Sequence, residues 1–303
     1  MKIVVTGHLG TLGAPLVRRL RDMDHDVTGI DLRHSFDGRR ADIAEYRQLE
    51  AVFDPDVETV YHLAAEFGRH NGEDYYEQVW RTNVVGTKNV LRLQERHGFR
   101  LIFASSSEVY GEQSAEYLHE DMVAARPECL SNDYAVSKWV NEAQIANSRA
   151  RHDTQTMVLR FFNAYGPGEE YHSYRSVVCL FAYRALKNLP YTVFENYHRV
   201  FQYVDDLIAT VAGACERFHD GETINVGGVE YRSVEDLHEV VSRAAGVDPM
   251  RNTVERQPFD MHNVTNKRPD IAKASGFLNH RPRVTLEDGV DHTVRWMRAR
   301  HGA

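Results

Sequence analysis

Glycines at positions 7, 10 and 13 constrain this chain more than any other feature. They follow a short apolar run, Ile3-Val4-Val5, and open a segment in which Leu12, Leu16 and Leu20 recur at helical spacing. A strand must therefore turn sharply into a helix within a few residues. Glycine permits the tight turn, lets a phosphate approach the backbone closely, and lets the helix pack against the strand. The unpaired N–H groups at such a helix start favour an anionic ligand. The plainer alternative is that Gly7, Gly10 and Gly13 make the turn and nothing more.

The first half of the chain repeats the same rhythm. Strands are expected at Lys2–Thr6, Val27–Asp31, Glu58–Leu63, Arg100–Ala104 and Met157–Phe161. Between them lie helical patterns at Leu12–Arg21, at Tyr75–His97 (closed by Gly98), and around Tyr134. Strand, helix, strand in this order implies right-handed crossovers and an α/β, doubly wound parallel sheet of the Rossmann type. After Asn163 the rhythm breaks at Gly166-Pro167-Gly168 and a tyrosine-rich loop, Tyr171–Arg175. Helices at Val177–Lys187, Asp205–Phe218, Val234–Ala245 and Leu286–Arg298 then mix with short strands at Tyr191–Phe194 and Thr223–Val226. A length of 303 residues suits one large domain or two closely joined ones. The expected division is a dinucleotide-binding domain, residues 1–162 plus about 204–226, and a smaller α/β substrate-binding lid, residues 163–203 and 227–303.

Several side chains in this frame carry chemistry. Asp31 ends the second strand roughly 20 residues past the glycines, where a carboxylate accepts hydrogen bonds from an adenosine ribose. A carboxylate there repels a 2′-phosphate and favours NAD over NADP, whereas the nearby Arg33 argues the other way. Asp42 and Ile43 suit an acid and apolar pair at an adenine, or simply an exposed loop acid. Further on, Ser105-Ser106-Ser107-Glu108-Val109-Tyr110-Gly111 precedes Tyr134-Ala135-Val136-Ser137-Lys138. A spacing of four puts Tyr134 and Lys138 on one face of a helix. The ammonium can stabilise a tyrosinate there, drawing a phenol of reference pKa ~10 towards working pH. Alone, such a pair also describes an ordinary helix surface.

Together these residues resemble the extended short-chain dehydrogenase/reductase family, in its nucleotide-sugar epimerase/dehydratase branch. The likeness runs nearly end to end. It takes in Gly7/Gly10/Gly13, Asp31, Asp42-Ile43, His62-Leu63-Ala64-Ala65, Asn83–Val90, the Ser106 region and Tyr134/Lys138. It continues through Arg160-Phe161-Phe162-Asn163 with Gly166-Pro167, Arg199 before Phe201–Asp206, Asn225-Val226-Gly227 and Asp270–Ala274. The resemblance implies an NAD cofactor held by Gly7, Leu9, Gly10, Thr11, Leu12, Asp31, Asp42, Ile43, Leu63, Ala64, Ala65, Asn83 and Lys138. It implies Tyr134 as the acid/base, Lys138 as the residue that lowers its pKa and holds the nicotinamide ribose, and Ser106 as a partner of the reacting C4 oxygen. It also implies a nucleoside-diphosphate sugar substrate, with Asn163 and Arg199 at the diphosphate and Ser107, Tyr174 and Arg175 as sugar-side candidates. Two alternatives stay open: Ser106 as a turn cap, and Arg199 as a partner of Asp205 or Asp206. Members of the family commonly form homodimers, here through the Tyr75–His97 and Tyr134–Arg151 helices.

Departures from the family pattern bear on function. His8, Leu9 and Thr11 replace the small residue and aromatic usual in the glycine loop. Glu169 and Glu170 would be unwelcome beside a diphosphate or a hexuronate carboxylate, so they are expected to face solvent or an amino or hydroxyl group of the sugar. Glu108 bears most directly on the outcome. Simple 4-epimerases of this family usually carry Ala or Ser, then Thr or Ser, before Val-Tyr-Gly; a Glu resembles the 4,6-dehydratases and UDP-glucuronate decarboxylases. Ser107, where dTDP-glucose dehydratases have an Asp, lies closer to the GDP-mannose dehydratase and decarboxylase pattern. Once C4 is a ketone the C5 proton is acidified, and a nearby carboxylate can remove it. Otherwise Glu108 holds a hydroxyl or the Tyr110 loop. The expected function is transient C4 oxidation by NAD, with C5 chemistry (4,6-dehydration, decarboxylation or C5 epimerisation) as well as or instead of C4 epimerisation. The alternatives are a net sugar dehydrogenase or reductase on the same fold, and a non-catalytic NAD-sensing regulator, which the intact Ser106/Tyr134/Lys138 set disfavours.

Composition excludes other classes. The net charge of -8, from 36 basic and 44 acidic residues, argues against a general nucleic-acid or membrane-surface role. No apolar run approaches the ~20 residues of a membrane span, and the first strand begins at Lys2, so a cytoplasmic protein is expected. Cys129, Cys179 and Cys215 are odd in number and lack C-x-x-C spacing, which points to reduced thiols. The 16 histidines form no ligand-spaced cluster, so no metal is expected.

Overall fold

Seven parallel strands build the central sheet of the computed structural model, which describes residues 1–125, 130–251, 253–258, 260 and 263–302; Cys129 lies outside them. In chain order the strands are β1 (Lys2–Thr6), β2 (Asp26–Asp31), β3 (Gly38–Arg40), β4 (Thr59–His62), β5 (Arg100–Ser106), β6 (Thr156–Phe161) and β7 (Ala164–Tyr165). There follow β8 (Tyr191–Phe194), β9 (His198–Val200), β10 (Gln202–Tyr203), β11 (Thr223–Val226), β12 (Tyr231–Ser233), β13 (Val254–Gln257) and β14 (Asn266–Lys267). The main sheet runs β11-β6-β5-β4-β1-β2-β3, all parallel, which is the expected doubly wound arrangement. The chain winds outward from β1 one way, then returns through β4 the other. A crevice therefore opens beyond the carboxyl ends of β1 and β4. Three small sheets, β10-β7, β12-β9-β14 and β13-β8, stand beside it.

Successive strand residues feed opposite faces, because side chains alternate across a strand. Ile3, Val5, Ile102, Met157 and Leu159 enter one apolar core, and Val4, Leu101, Phe103 and Val158 enter the other. A parallel sheet needs both faces covered, and here both are. The first core continues without a break into the later helices through Val178, Phe181, Leu237, Val241, Val290 and Met297.

The helices needed for the site are α1 (Gly13–Asp22), α2 (Tyr46–Val52), α3 (Arg69–Asp74), α4 (Tyr76–Val79), α5 (Gly86–His97) and α6 (Asp133–His152). The later ones are α7 (Val177–Leu186), α8 (Val204–Gly213), α9 (Val234–Ala245), α10 (Ala272–Phe277) and α11 (Leu286–His301). Two local features depart from the sequence expectation. Tyr75–His97 is not one regular helix: a π-helical turn, Trp80–Val85, joins α4 to α5. Asn83 sits buried in that turn, accepting from Glu66 N and donating to Glu66 O and Ser137 Oγ. The second is β3, inside a loop whose three strand residues show no apolar alternation. It pairs Gly38 with Gly29, and a Cβ on either glycine would lie within 2.4 Å of the His8 ring. His8 thus fills the space that two glycines leave, with Nε2 held 3.0 Å from Ser35 Oγ.

Candidate active site

The crevice is floored by the glycine loop. Gly7 has φ +74°, and a Cβ there would sit 2.8 Å from the Ala64 backbone just beyond β4. A Cβ on Gly13 would fall 2.1 Å from the Gly7 carbonyl oxygen, so that position admits glycine alone. Leu12 begins α1 without a side-chain cap, and the first turn holds no acid. Ala14 N already donates to Gly10 O at 3.0 Å and Pro15 has no N–H, so among the described residues of the α1 start it is the Gly13 N–H that is left for an anion from outside the chain. Gly7, Gly10, Thr11 and Leu12 line a cavity of about 470 Å³ that also reaches Leu63 and Ala65. These residues fit a dinucleotide diphosphate. At the end of β2, Asp31 accepts from Leu9 N at 3.0 Å and from Arg33 N and Nε at 3.0 and 3.3 Å. Arg33 thus folds back onto the carboxylate. Asp42 pairs with Arg81 at 3.0 Å, and Ile43 packs where a Cβ on Gly86 would lie 2.7 Å away. Leu9, Asp31, Asp42, Ile43, Ala64 and Asn83 stand off the cavity wall.

Tyr134 and Lys138 come from the first turns of α6, which Asn132 caps by accepting from Ala135 N at 2.8 Å. Gly72 on α3 lets that helix pack onto the α6 start, since a Cβ there would lie 2.8 Å from Tyr134 N. Lys138 Nζ donates to Ala104 O on β5 at 2.8 Å and stands 6.0 Å from the Tyr134 ring centre. Burial draws Lys138 down to about 8, against the opposing pull of Glu142. Burial pushes the Tyr134 phenol well above its ordinary value, a hydrogen bond with Ser106 lowers it, and the Glu108 charge raises it further. In the protein alone Lys138 is not among the groups that shift this phenol, and its ammonium is turned to Ala104. Ser106 does cap a turn, accepting from Glu108 N at 3.2 Å, and bonds Tyr134 as well. His62, drawn down to about 3 by burial and Lys138, is neutral and links Thr6 to Thr87 at 2.7 and 3.1 Å.

Glu108 lines the same cavity. Oε1 contacts Lys267 Nζ on β14, while Oε2 is buried with no hydrogen-bond partner among the described residues. Burial alone would raise its pKa, but Lys267, Arg69 and Arg199 outweigh burial and hold Glu108 below the usual carboxylate range. Arg199 donates to His198 O and Thr265 O at 2.8 and 2.9 Å, and also to Asn263 Oδ1 and Val264 O. It does not meet Asp206, which instead accepts from Arg283 N and Val284 N. Burial and the nearby Arg69 draw Arg199 down to about 10, the mark of a guanidinium short of counter-charge. Arg69 pairs with Asp260 at 3.1 Å.

The remaining residues fall on the same wall. Ser107, Asn163, Tyr174 and Arg175 all line the cavity. Asn163 donates to Val200 O, Tyr174 OH donates to Asp74, and Arg175 donates to Glu170 O beneath the Phe67 ring. Glu169 is buried rather than facing solvent, yet it lines the same cavity, accepting from Ser176 N and Oγ at 2.9 and 2.6 Å over the start of α7. Glu170 turns outward to Arg300. Sequence reading missed Lys267, Arg69, Asp260 and Glu142. Glu142 left a signal, continuing the spacing Tyr134, Lys138, Glu142 along one face of α6. Lys267 lies just before the Asp270–Ala274 motif but has no local pattern to separate it from a surface lysine. Among the described residues, no group of histidines, cysteines and acids is placed to hold a metal, and no helix is long and apolar enough to cross a membrane.

UDP-glucuronic acid decarboxylase 1 of Arabidopsis thaliana is 29% identical over 316 residues, covering 99% of this chain and 70% of that protein. The crystal structure of Thermotoga maritima UDP-glucose 4-epimerase with UDP-glucose superposes with a TM-score of 0.90 at 25% identity, covering 99% of both chains. Bacillus cereus UDP-glucuronic acid 4-epimerase, solved with UDP-glucuronic acid and NAD, gives 0.83 at 25% identity, covering 99% of this chain and 100% of that one. With residues 3–227 matching that family's profile, the chain belongs to the NAD dependent epimerase/dehydratase family.

Proposed function

We propose that the protein binds a UDP-linked sugar beside NAD, oxidises the sugar at C4, performs proton chemistry at C5 through Glu108, and then reduces C4 again. The observation that carries this reading is one cavity wall holding Ser106, Glu108, Tyr134 and Lys138, with Arg69, Arg199 and Lys267 beyond them. NAD, when bound, supplies the hydride acceptor and a positive charge beside the phenol. Tyr134 takes the C4 hydroxyl proton, Ser106 steadies the C4 oxygen, and Lys138 holds the ribose and favours the tyrosinate. The cationic end suits the diphosphate, since a guanidinium contacts phosphate oxygens in pairs. The test is turnover of UDP-glucuronic acid and UDP-glucose in heavy water, followed by NMR. Deuterium is expected at C5 of the product, suppressed in Glu108→Gln. Product without solvent deuterium at any carbon would favour plain C4 epimerisation, and NADH accumulating in step with product would favour a net dehydrogenase.

Asp31, with Arg33 bonded to it, presents a carboxylate to the ribose. NAD is therefore expected to bind more tightly than NADP in a fluorescence titration, and the reverse order would remove Asp31 from that role. The protein is further proposed to act as a homodimer. Tyr75, Tyr76, Trp80 and Val85 leave an apolar face exposed along α4 and the π-helical turn. Sedimentation should give twice the chain mass, shifting towards the monomer in Trp80→Glu.

A further inference from the structure

Glu108 sits among cations from three separate elements: Lys267 on β14, Arg199 on β9 and Arg69 on α3, with the Tyr134 phenol of α6 nearby. Lys267 is itself 2% exposed, and Glu108 is its one hydrogen-bond partner among the described residues. An ammonium carries three donors and a carboxylate about four acceptor sites. Both halves of the pair therefore keep unused hydrogen-bonding capacity, and both line the cavity. A buried charge that loses its partner is costly, so protonating Glu108 while Lys267 depends on it is disfavoured. A second anion at Lys267 removes that penalty, and its negative potential makes a protonated Glu108 favourable.

We propose that Lys267 is a substrate-operated restraint on Glu108: it holds the carboxylate ionised in the resting enzyme, and the diphosphate of the incoming nucleotide sugar takes Lys267 over, freeing Glu108 to accept the C5 proton. This rests on the reading of Glu108 given above. With C4 a ketone, the C5–H bond breaks and its electron pair enters the C4–C5 bond. The carbonyl becomes an enolate, and the proton passes to Oε2 of Glu108, which returns it in the reverse step. Lys267 is thus a positioning residue, acting through Glu108. The arrangement keeps the base weak until a diphosphate has arrived.

The test needs no turnover. NAD-loaded enzyme carrying carbon-13 at the glutamate carboxyls is titrated by NMR, with Glu108 assigned by its loss in Glu108→Gln. The probe is UDP, which brings the diphosphate without a sugar. UDP should raise the Glu108 titration midpoint by about one pH unit or more, a tenfold change in proton affinity. In Lys267→Met the midpoint should be raised already and UDP should add little, whereas Lys267→Arg should respond like the wild type. A Glu108 midpoint unmoved by UDP in the wild type overturns the proposal. So does a midpoint identical in Lys267→Met and wild type. Should Lys267→Met not fold, the wild-type titration and Lys267→Arg decide. A normal UDP response with no deuterium at C5 would instead sink the functional reading and leave the Lys267 linkage standing.

Discussion

Tyr134→Phe is expected to retain NAD binding while losing about 100-fold or more in turnover, the scale of a positioned general acid/base. Only the phenolic oxygen is removed, so the ring keeps its place at the start of α6 and the Gly72 contact with its backbone survives. The loss should fall on kcat more than on KM, because the proton moves in the transition state rather than on binding. The phenol in the protein alone is pushed well above its ordinary value by burial, so it stays protonated and cannot accept a proton in that state. That state is consistent with a site that remains inactive when empty. Turnover at the wild-type level in Tyr134→Phe, measured as product formed per enzyme by NMR, would remove Tyr134 from the mechanism.

Glu142→Ala should carry the largest effect on stability. Arg160 on β6 donates to Glu142 from Nε at 3.0 Å and from Nη2 at 2.7 Å, a paired and largely buried contact at the middle of α6. Its Nη1 donates to Tyr110 OH at 2.9 Å and Glu120 O at 2.8 Å, and Tyr110 OH in turn donates to Asn225 Oδ1 at 2.7 Å. One network thus joins α6, β6, β11 and the turn that carries Glu108. Removing the carboxylate strands a buried guanidinium that cannot lose its proton, and breaking such a pair costs about 3–5 kcal/mol. Replacing both residues, in Glu142→Leu with Arg160→Leu, should cost less than Glu142→Ala alone, because no charge is left unpaired. Denaturant unfolding of the three variants measures this. A cost below about 1 kcal/mol for Glu142→Ala would show that the network is only a surface-grade ion pair. Since Tyr134, Lys138 and Glu142 share one face of α6, lost stability there should also loosen the phenol and lower kcat.

Much of the fold was legible because parallel sheets write themselves into a chain locally. Ile3-Val4-Val5 before Gly7 announced β1, and Leu12, Leu16 and Leu20 announced α1, by spacing alone. β3 escaped because its pairing depends on a histidine ring lying between two glycines, a relation with no period. The break between α4 and α5 escaped because a π-helical turn adds spacing without changing composition. Within the site, Tyr134 and Lys138 stood out because helical spacing relates them directly, whereas Glu142, which continues the same spacing, was missed because its partner Arg160 lies on another element.

The sequence by itself determined the sheet, the glycine cradle and the residues available for proton transfer, since each depends on neighbours within a few positions. Only the tertiary structure decided what those residues experience. Glu108 meets Lys267 across 159 residues of chain, Arg69 meets Asp260 across 191, and Glu169 on the cavity wall is held by Ser176. Whether a carboxylate is a free base or a restrained one is set by which distant charges share its low-dielectric cavity, and periodicity holds no record of that.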